Sequence, residues 1–130
     1  MPGYNVIPSL RFADVPAALS FYIDTLGFHL VRGGPDEDNN SIARGDAHMM
    51  VEKAAAYYSA EYNAAIRARL AGKSPNALYI EAEDLRDLYA SAQAKGAHII
   101  DPIAPREWGQ TEFTVEDPEG NWLTFWKKED

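Results

Sequence analysis

The chain contains no cysteine. That excludes a disulfide scaffold, a cysteine-ligated zinc or iron–sulfur centre, and a thiol nucleophile. Basic residues are scarce too: 12 Lys and Arg stand against 20 Asp and Glu, a formal net charge of -8. Nucleic-acid binding needs a basic face that releases counterions, so no nucleic-acid partner is expected. The same charge disfavours anionic membrane surfaces. No apolar run approaches the ~20 residues of a membrane helix, so no membrane partner is expected either. The opening Met1-Pro2-Gly3-Tyr4-Asn5 lacks the basic-then-apolar pattern of a secretory leader, which points to a cytoplasmic location. What remains is 130 residues, 46% hydrophobic and 12% aromatic, enough for one core. An acidic surface serves solubility, and it also attracts cationic ligands.

Local patterning predicts an α+β chain. Residues 4–12 read as a strand. Asp14 caps a helix with Pro16 in its first turn, and Val15, Leu19, Tyr22, Ile23 and Leu26 follow helical spacing up to Gly27. Residues 28–32 read as a second strand, followed by a polar loop from Gly33. Residues 41–43 and 48–53 read as a hairpin around Gly45-Asp46. Residues 54–70 are alanine-rich and predict a helix. Then the order restarts: a strand over 77–82, a cap at Asp84, a helix faced by Leu85, Leu88, Tyr89 and Ala92, and Gly96 at its end. A strand begins at His98-Ile99-Ile100, Asp101 to Pro105 reads as a loop, and 111–116 and 122–127 are strands joined by Asp117-Pro118-Glu119-Gly120-Asn121.

The restart is an internal repeat. Asp14-Val15 matches Asp84-Leu85 at an offset of 70, and Gly27-Phe28-His29-Leu30-Val31 matches Gly96-Ala97-His98-Ile99-Ile100 at an offset of 69. Each copy reads strand, helix, strand, strand, strand. A unit of that size cannot bury its sheet alone, whereas two copies can. The expected organisation is a first module over 1–53, a helical insertion over 54–74 and a second module over 75–130.

The residues carrying this pattern resemble the vicinal oxygen chelate superfamily, which includes glyoxalase I, extradiol dioxygenases and the fosfomycin- and bleomycin-resistance proteins. The first βα unit is similar in Val6 through Val15, with Phe21-Tyr22 and Leu26-Gly27-Phe28. The last hairpin is similar in Trp108-Gly109-Gln110-Thr111-Glu112-Phe113-Thr114-Val115-Glu116-Asp117-Pro118-Glu119-Gly120-Asn121. The resemblance implies two βαβββ modules pairing into a half-open cup, usually in a dimer. It also implies a test for chemistry, because metal-dependent members place His, Glu or Gln ligands on four inward strand positions. Carried onto this chain, those positions are Ile7, Glu52, Ala77 and Thr124. A divalent metal needs at least three protein ligands to compete with water, and only Glu52 is a good one. His48 lies four residues from Glu52, ~13 Å along a strand, too far to share an ion. No metal and no cofactor is therefore expected, and no catalytic residue is assigned.

Other catalytic patterns fail on their own terms. Ala71-Gly72-Lys73-Ser74 ends like a phosphate loop, but Arg67 stands where the first glycine belongs. Glu52 and Glu81 could form an acid–base pair, though solvated or ion-paired carboxylates are the plainer reading.

The resemblance then points to the antibiotic-binding branch, the bleomycin-resistance proteins, which hold a flat cationic drug in an acidic groove at a dimer interface without chemistry. The net charge, the Glu107-Trp108-Gly109 motif and the inward aromatics fit. Strand parity sets Tyr79 beside Ala77, sets Trp122 and Trp126 beside Thr124, and puts His48 and Met50 on the face of Glu52. The candidate ligand-binding residues are Trp108, Glu52, Tyr79, Trp126, Met50 and Thr124; aromatic faces with carboxylates suit planar and cationic ligands. The expected protein is a homodimer that binds a small aromatic or cationic molecule. The alternatives are a metal-dependent glyoxalase or dioxygenase with an altered metal site, and a ligand-free dimeric module. Phe113, Val115, Leu123 and Phe125 are expected to face helices. The insertion helix, with Tyr57, Tyr58, Tyr62, Ile66 and Leu70, either roofs the cup or forms the interface.

Overall fold

Alternation along the strands decides which side chains meet the helices. In the computed structural model, which describes residues 7–54, 59–71 and 77–129, the repeat appears as two four-stranded sheets. The first half holds β1 (Ser9–Phe12), α1 (Val15–Ser20), β2 (His29–Arg32), β3 (Asn39–Arg44) and β4 (Ala47–Lys53). After α2 (Ala60–Ala71) come β5 (Ala77–Glu81), α3 (Leu85–Ala94), β6 (His98–Pro105), β7 (Gln110–Glu116) and β8 (Trp122–Lys128). The sheet orders, β1-β4-β3-β2 and β5-β8-β7-β6, are the same topology twice. In each, the first strand runs parallel to the last and the other pairs are antiparallel.

One side of each sheet carries the core. Phe12, Tyr22, Ile42 and Val51 from the first half join Leu85, Phe113, Val115, Leu123 and Phe125 from the second in one buried cluster. The four residues expected to face helices are all in it. Each such side chain contributes about 1.5–3 kcal/mol on full burial. Tyr22 meets Phe21 and Phe28 edge-on at 5.4 Å and sends its hydroxyl to Asp117 Oδ2 at 2.7 Å, across the two halves. Arg44 makes a second tie. Its Nε donates to the Leu26 carbonyl at 2.9 Å and its Nη2 to both oxygens of Asp84 at 3.0 and 2.8 Å.

The strand expected over 4–12 begins at Ser9, with residues 4–6 outside the described ones, and three further features depart from the sequence reading. The first helix does not run regularly to Leu26. α1 stops at Ser20 and Phe21–Thr25 form a π-helical turn, closed by a bond from Leu26 N–H to the Phe21 carbonyl. The wider turn keeps the apolar residues on the core side, and Gly27 then leaves it at φ 78. Asp84 occupies the cap position of α3 but makes no side-chain capping bond, because its carboxylate is taken by Arg44. Asp14, with no such partner, caps α1 through Ala17 N–H at 3.0 Å. Finally, Asp101 to Pro105 is strand rather than loop: β6 continues to Pro105 with two register irregularities. Its place at the sheet edge tolerates two prolines, since the missing donors are on the unpaired side or at bulges.

Helix α2 touches β1, and the Tyr62 ring lies 5.2 Å from the Arg11 guanidinium. The insertion therefore covers part of the first sheet at that point. Tyr57 and Tyr58 lie outside the described residues, as does the side chain of Leu70. No helix among the described residues is long and apolar enough to cross a membrane.

Candidate functional site

Side chains of the opposite parity leave the core and form two faces of contrasting chemistry. On the first sheet, β4 presents His48, Met50 and Glu52, because Met49 and Val51 are in the core. Register places Arg11 and Asn39 on either side of Glu52. Both carboxylate oxygens are engaged: the Ser9 hydroxyl donates to Oε2, Asn39 Nδ2 donates to Oε1 at 2.6 Å, and Arg11 Nη2 lies 3.4 Å from Oε2. Arg32, on the edge strand, bonds the Asn39 carbonyl at 3.1 Å and the Ser41 hydroxyl at 3.2 Å. Glu52 is 3% exposed. A carboxylate that deeply buried must be paired and hydrogen-bonded, and this one is.

The second sheet's face is aromatic. Tyr79 is 64% exposed, Trp108 62% and Trp122 37%, and Trp126 is half-buried. The register rows pair Tyr79 with Thr124 and Thr114, and Glu81 with Trp126 and Glu112. Thr124 is buried and its hydroxyl is 2.7 Å from that of Thr114. Trp108 sits in the turn between β6 and β7. Its turn is closed by Gly109 N–H on the Arg106 carbonyl at 3.1 Å and Arg106 N–H on the Gln110 carbonyl at 2.7 Å. Gly109 takes φ 88, a conformation that strongly favours glycine. The indole N–H donates to Glu112 Oε2 at 3.0 Å. Large aromatics left exposed in such a group, rather than singly, mark binding surfaces.

The six sequence-nominated residues thus fall into two sets. Tyr79, Trp126 and Thr124 lie on the second sheet, with Trp108 in its β6–β7 turn, whereas Met50 and Glu52 lie on the first. The two sheets approach each other at a seam. A cleft of about 180 Å³ is lined by Pro8, Ala47, His48, Met49, Leu78, Tyr79 and Ile80. It adjoins a groove of about 530 Å³ lined in part by Arg44, Asp46, Tyr79, Glu81 and Glu83. Tyr79 belongs to both. Glu81 is exposed on the second sheet, while Glu52 is clamped within the first by Ser9, Arg11 and Asn39.

Register adds a second comparison to the matched positions Ile7, Glu52, Ala77 and Thr124. With the repeat offset of 70, Ser9 corresponds to Tyr79, and these pair with Met50 and Thr124 respectively. The counterpart of Thr124 is therefore Met50, and the counterpart of Glu52 is Trp126. Neither supplies an oxygen donor. Glu52 itself faces a guanidinium, and no three His, Asp or Glu among the described residues come together around a point that could hold an ion. Among the described residues, none of these sets fits the divalent metal that the resemblance implies for metal-dependent members, and no step through such a metal is derived.

Sequence reading missed Ser9, Arg11 and Asn39 around Glu52, and Glu112 with Arg106 behind Trp108. Glu112 had a signal: it shares the parity of Thr114 and Glu116 in a strand otherwise destined for burial. His98, at the start of β6, pairs with Glu116 at 2.8 Å; His29 is exposed at the equivalent start of β2.

A sequence model of the Glyoxalase/Bleomycin resistance protein/Dioxygenase superfamily matches residues 7–125. No curated protein matches the chain. Among solved structures, TioX from Micromonospora sp. ML1 superposes with a TM-score of 0.75 at 19% identity, covering 97% of this chain and 99% of that one. UcmS2 gives 0.74 at 20% identity, covering 97% and 98%. A bleomycin resistance determinant encoded on the transposon Tn5 gives 0.71 at 20% identity, covering 98% and 100%. At these identities the likeness is one of fold.

Proposed function

Because the chain belongs to the Glyoxalase/Bleomycin resistance protein/Dioxygenase superfamily, and because no metal-ligand set forms among its described residues, we propose that it binds a small aromatic or cationic molecule without chemistry, in the manner of the bleomycin-resistance proteins. The observation that carries this reading is the set of exposed aromatic rings on the second half, Tyr79 and Trp122 on the sheet and Trp108 in the β6–β7 turn, with Trp126 half-buried on the same sheet. Planar ligands stack on such rings for about 0.5–1.5 kcal/mol beyond their buried area, and a cation over an indole adds about 0.5–2 kcal/mol. The net charge of -8 draws cations toward the surface.

The proposed site takes Trp108, Tyr79, Trp126 and Thr124 from one sheet and Met50 and Glu52 from the other. Glu52 and Thr124 act through shape and polarity, since their polar atoms are already bonded within the protein. Trp108 and Tyr79 supply the stacking surface. A two-fold partner would bring a first-sheet face against a second-sheet face, so the proposed species is a homodimer, resident in the cytoplasm. Calorimetric titration with metal-free bleomycin tests the reading. Saturable binding at a fixed ratio per protomer supports it. Absence of binding to bleomycin and to simpler planar cations such as ethidium would sink it and leave a ligand-free module.

A further inference from the structure

We infer that Glu112 is a positioning residue whose buried carboxylate fixes the Trp108 indole as a rigid, outward-facing stacking plate. The inference rests on the binding reading above for its purpose, but on separate observations for its geometry. An indole that is 62% exposed on a turn would ordinarily be free to turn over among rotamers, with water satisfying its N–H. Here the N–H is directed inward, to Glu112 Oε2 at 3.0 Å. Glu112 is only 4% exposed and stands near the middle of β7, between the buried Thr111 and Phe113. A buried carboxylate demands compensation. It finds the indole N–H on one oxygen and Arg106 Nε at 3.9 Å from the other.

Arg106 is itself held. Its Nη2 donates to Asp101 Oδ2 at 2.5 Å, and its backbone closes the turn on Gln110. Glu129 N–H bonds the Gly109 carbonyl at 3.1 Å, which ties the turn to the end of the chain. The backbone of the turn and one edge of the ring are therefore both fixed, while the ring remains open to solvent. The register partner of Glu112 on β8 is Trp126, so one carboxylate stands beside both indoles of the proposed site. A plate that is already immobile loses less freedom when a ligand stacks on it, which is the benefit of preorganisation.

The test is the indole N–H itself, read by nitrogen–proton spectra of the full chain, with Trp108→Phe identifying the signal. In wild type the Trp108 N–H exchanges slowly for so exposed a ring. In Glu112→Ala its protection falls by about tenfold or more, the size of a lost charge-assisted hydrogen bond. Glu112→Gln retains an acceptor at the same reach and restores most of the protection. Glu112→Leu preserves buried volume without an acceptor and repeats the Ala result should Ala fail to fold. Unchanged protection in a folded Ala or Leu variant, with the other two indole signals unmoved, overturns the inference. Affinity for metal-free bleomycin follows the same order, with Ala or Leu weaker than Gln and Gln close to wild type. If wild type binds neither bleomycin nor ethidium, the binding reading fails, and the exchange result still decides whether Glu112 holds the ring.

Discussion

At the scale of single residues, buried polar pairs hold the two halves in place. Tyr22 is fully buried, and its hydroxyl has one protein acceptor, Asp117. Burial raises the Tyr22 pKa well above its ordinary value, and the neighbouring Asp117 charge raises it further, so the ring stays a donor at any ordinary pH. Tyr22→Phe removes one of the two donors on Asp117 Oδ2, leaving Asn121 Nδ2 at 2.9 Å, and is expected to cost about 1.5–3 kcal/mol as a lost hydrogen bond to a charged group, read as a lower denaturation midpoint with an unchanged slope. Asp117 itself is raised, chiefly by burial, against the opposing bonds from Asn121, Tyr22 and Glu119. A carboxyl raised on folding contributes stability that is present below its unfolded pKa and is lost as pH rises through the folded value. Glu129 has the opposite sign. Bonds from Arg86 and Thr111 lower it to about 2, so its contribution is present above the ordinary carboxylate range and is lost as pH falls toward about 2. Arg86→Ala should therefore melt below wild type at pH 6, and the gap should close at pH 2. A gap that persists unchanged in acid would show that the Arg86 contribution is not carried by Glu129.

At the scale of elements, Arg44 joins the end of β3 to the first helical segment and to the start of α3. Its guanidinium also lies 6.0 Å from the Phe125 ring. Lysine offers one point charge where this arrangement uses a planar fork. Arg44→Lys is expected to lose most of what Arg44→Ala loses, about 1.5–3 kcal/mol for hydrogen bonds to charged groups, measured by thermal or denaturant unfolding. Near-wild-type stability of the Lys variant would assign the effect to charge alone. Elements also mark where sequence reading worked. The repeat was legible because Asp14 and Asp84, then Gly27 and Gly96, punctuate both copies at nearly equal spacing. The π-helical turn was not, because an i→i+5 bond at Phe21 leaves the apolar spacing of an α-helix almost intact. The second half of β6 was hidden by Pro102 and Pro105, which signal a loop except at an edge. The shared faces of Tyr79, Thr124 and Trp126 and of Met50 and Glu52 were visible by parity, while Trp108 was nominated by its motif. The contacts that hold them were not: Ser9, Arg11 and Asn39 meet Glu52 only through strand register, and Glu112, visible by parity, meets Trp108 only through the turn.

At the scale of the whole molecule, the architecture leaves two unlike faces, one polar and clamped, one aromatic and open. An aromatic face of this extent calls for a partner, a ligand or both. The proposed two-fold dimer supplies the first, and light scattering after size exclusion at micromolar concentration is expected to give about twice the 14.4 kDa chain mass. A stable monomer would remove the dimer from the account. Most directly, the claim that this face binds a ligand rests on Trp108. Tryptophan quenching by metal-free bleomycin should saturate in wild type, and Trp108→Ala, with dimer content measured alongside, should weaken affinity about tenfold or more, a loss of about 1.4 kcal/mol. Affinity per folded dimer left unchanged by Trp108→Ala would contradict the account and make Trp108 a structural residue.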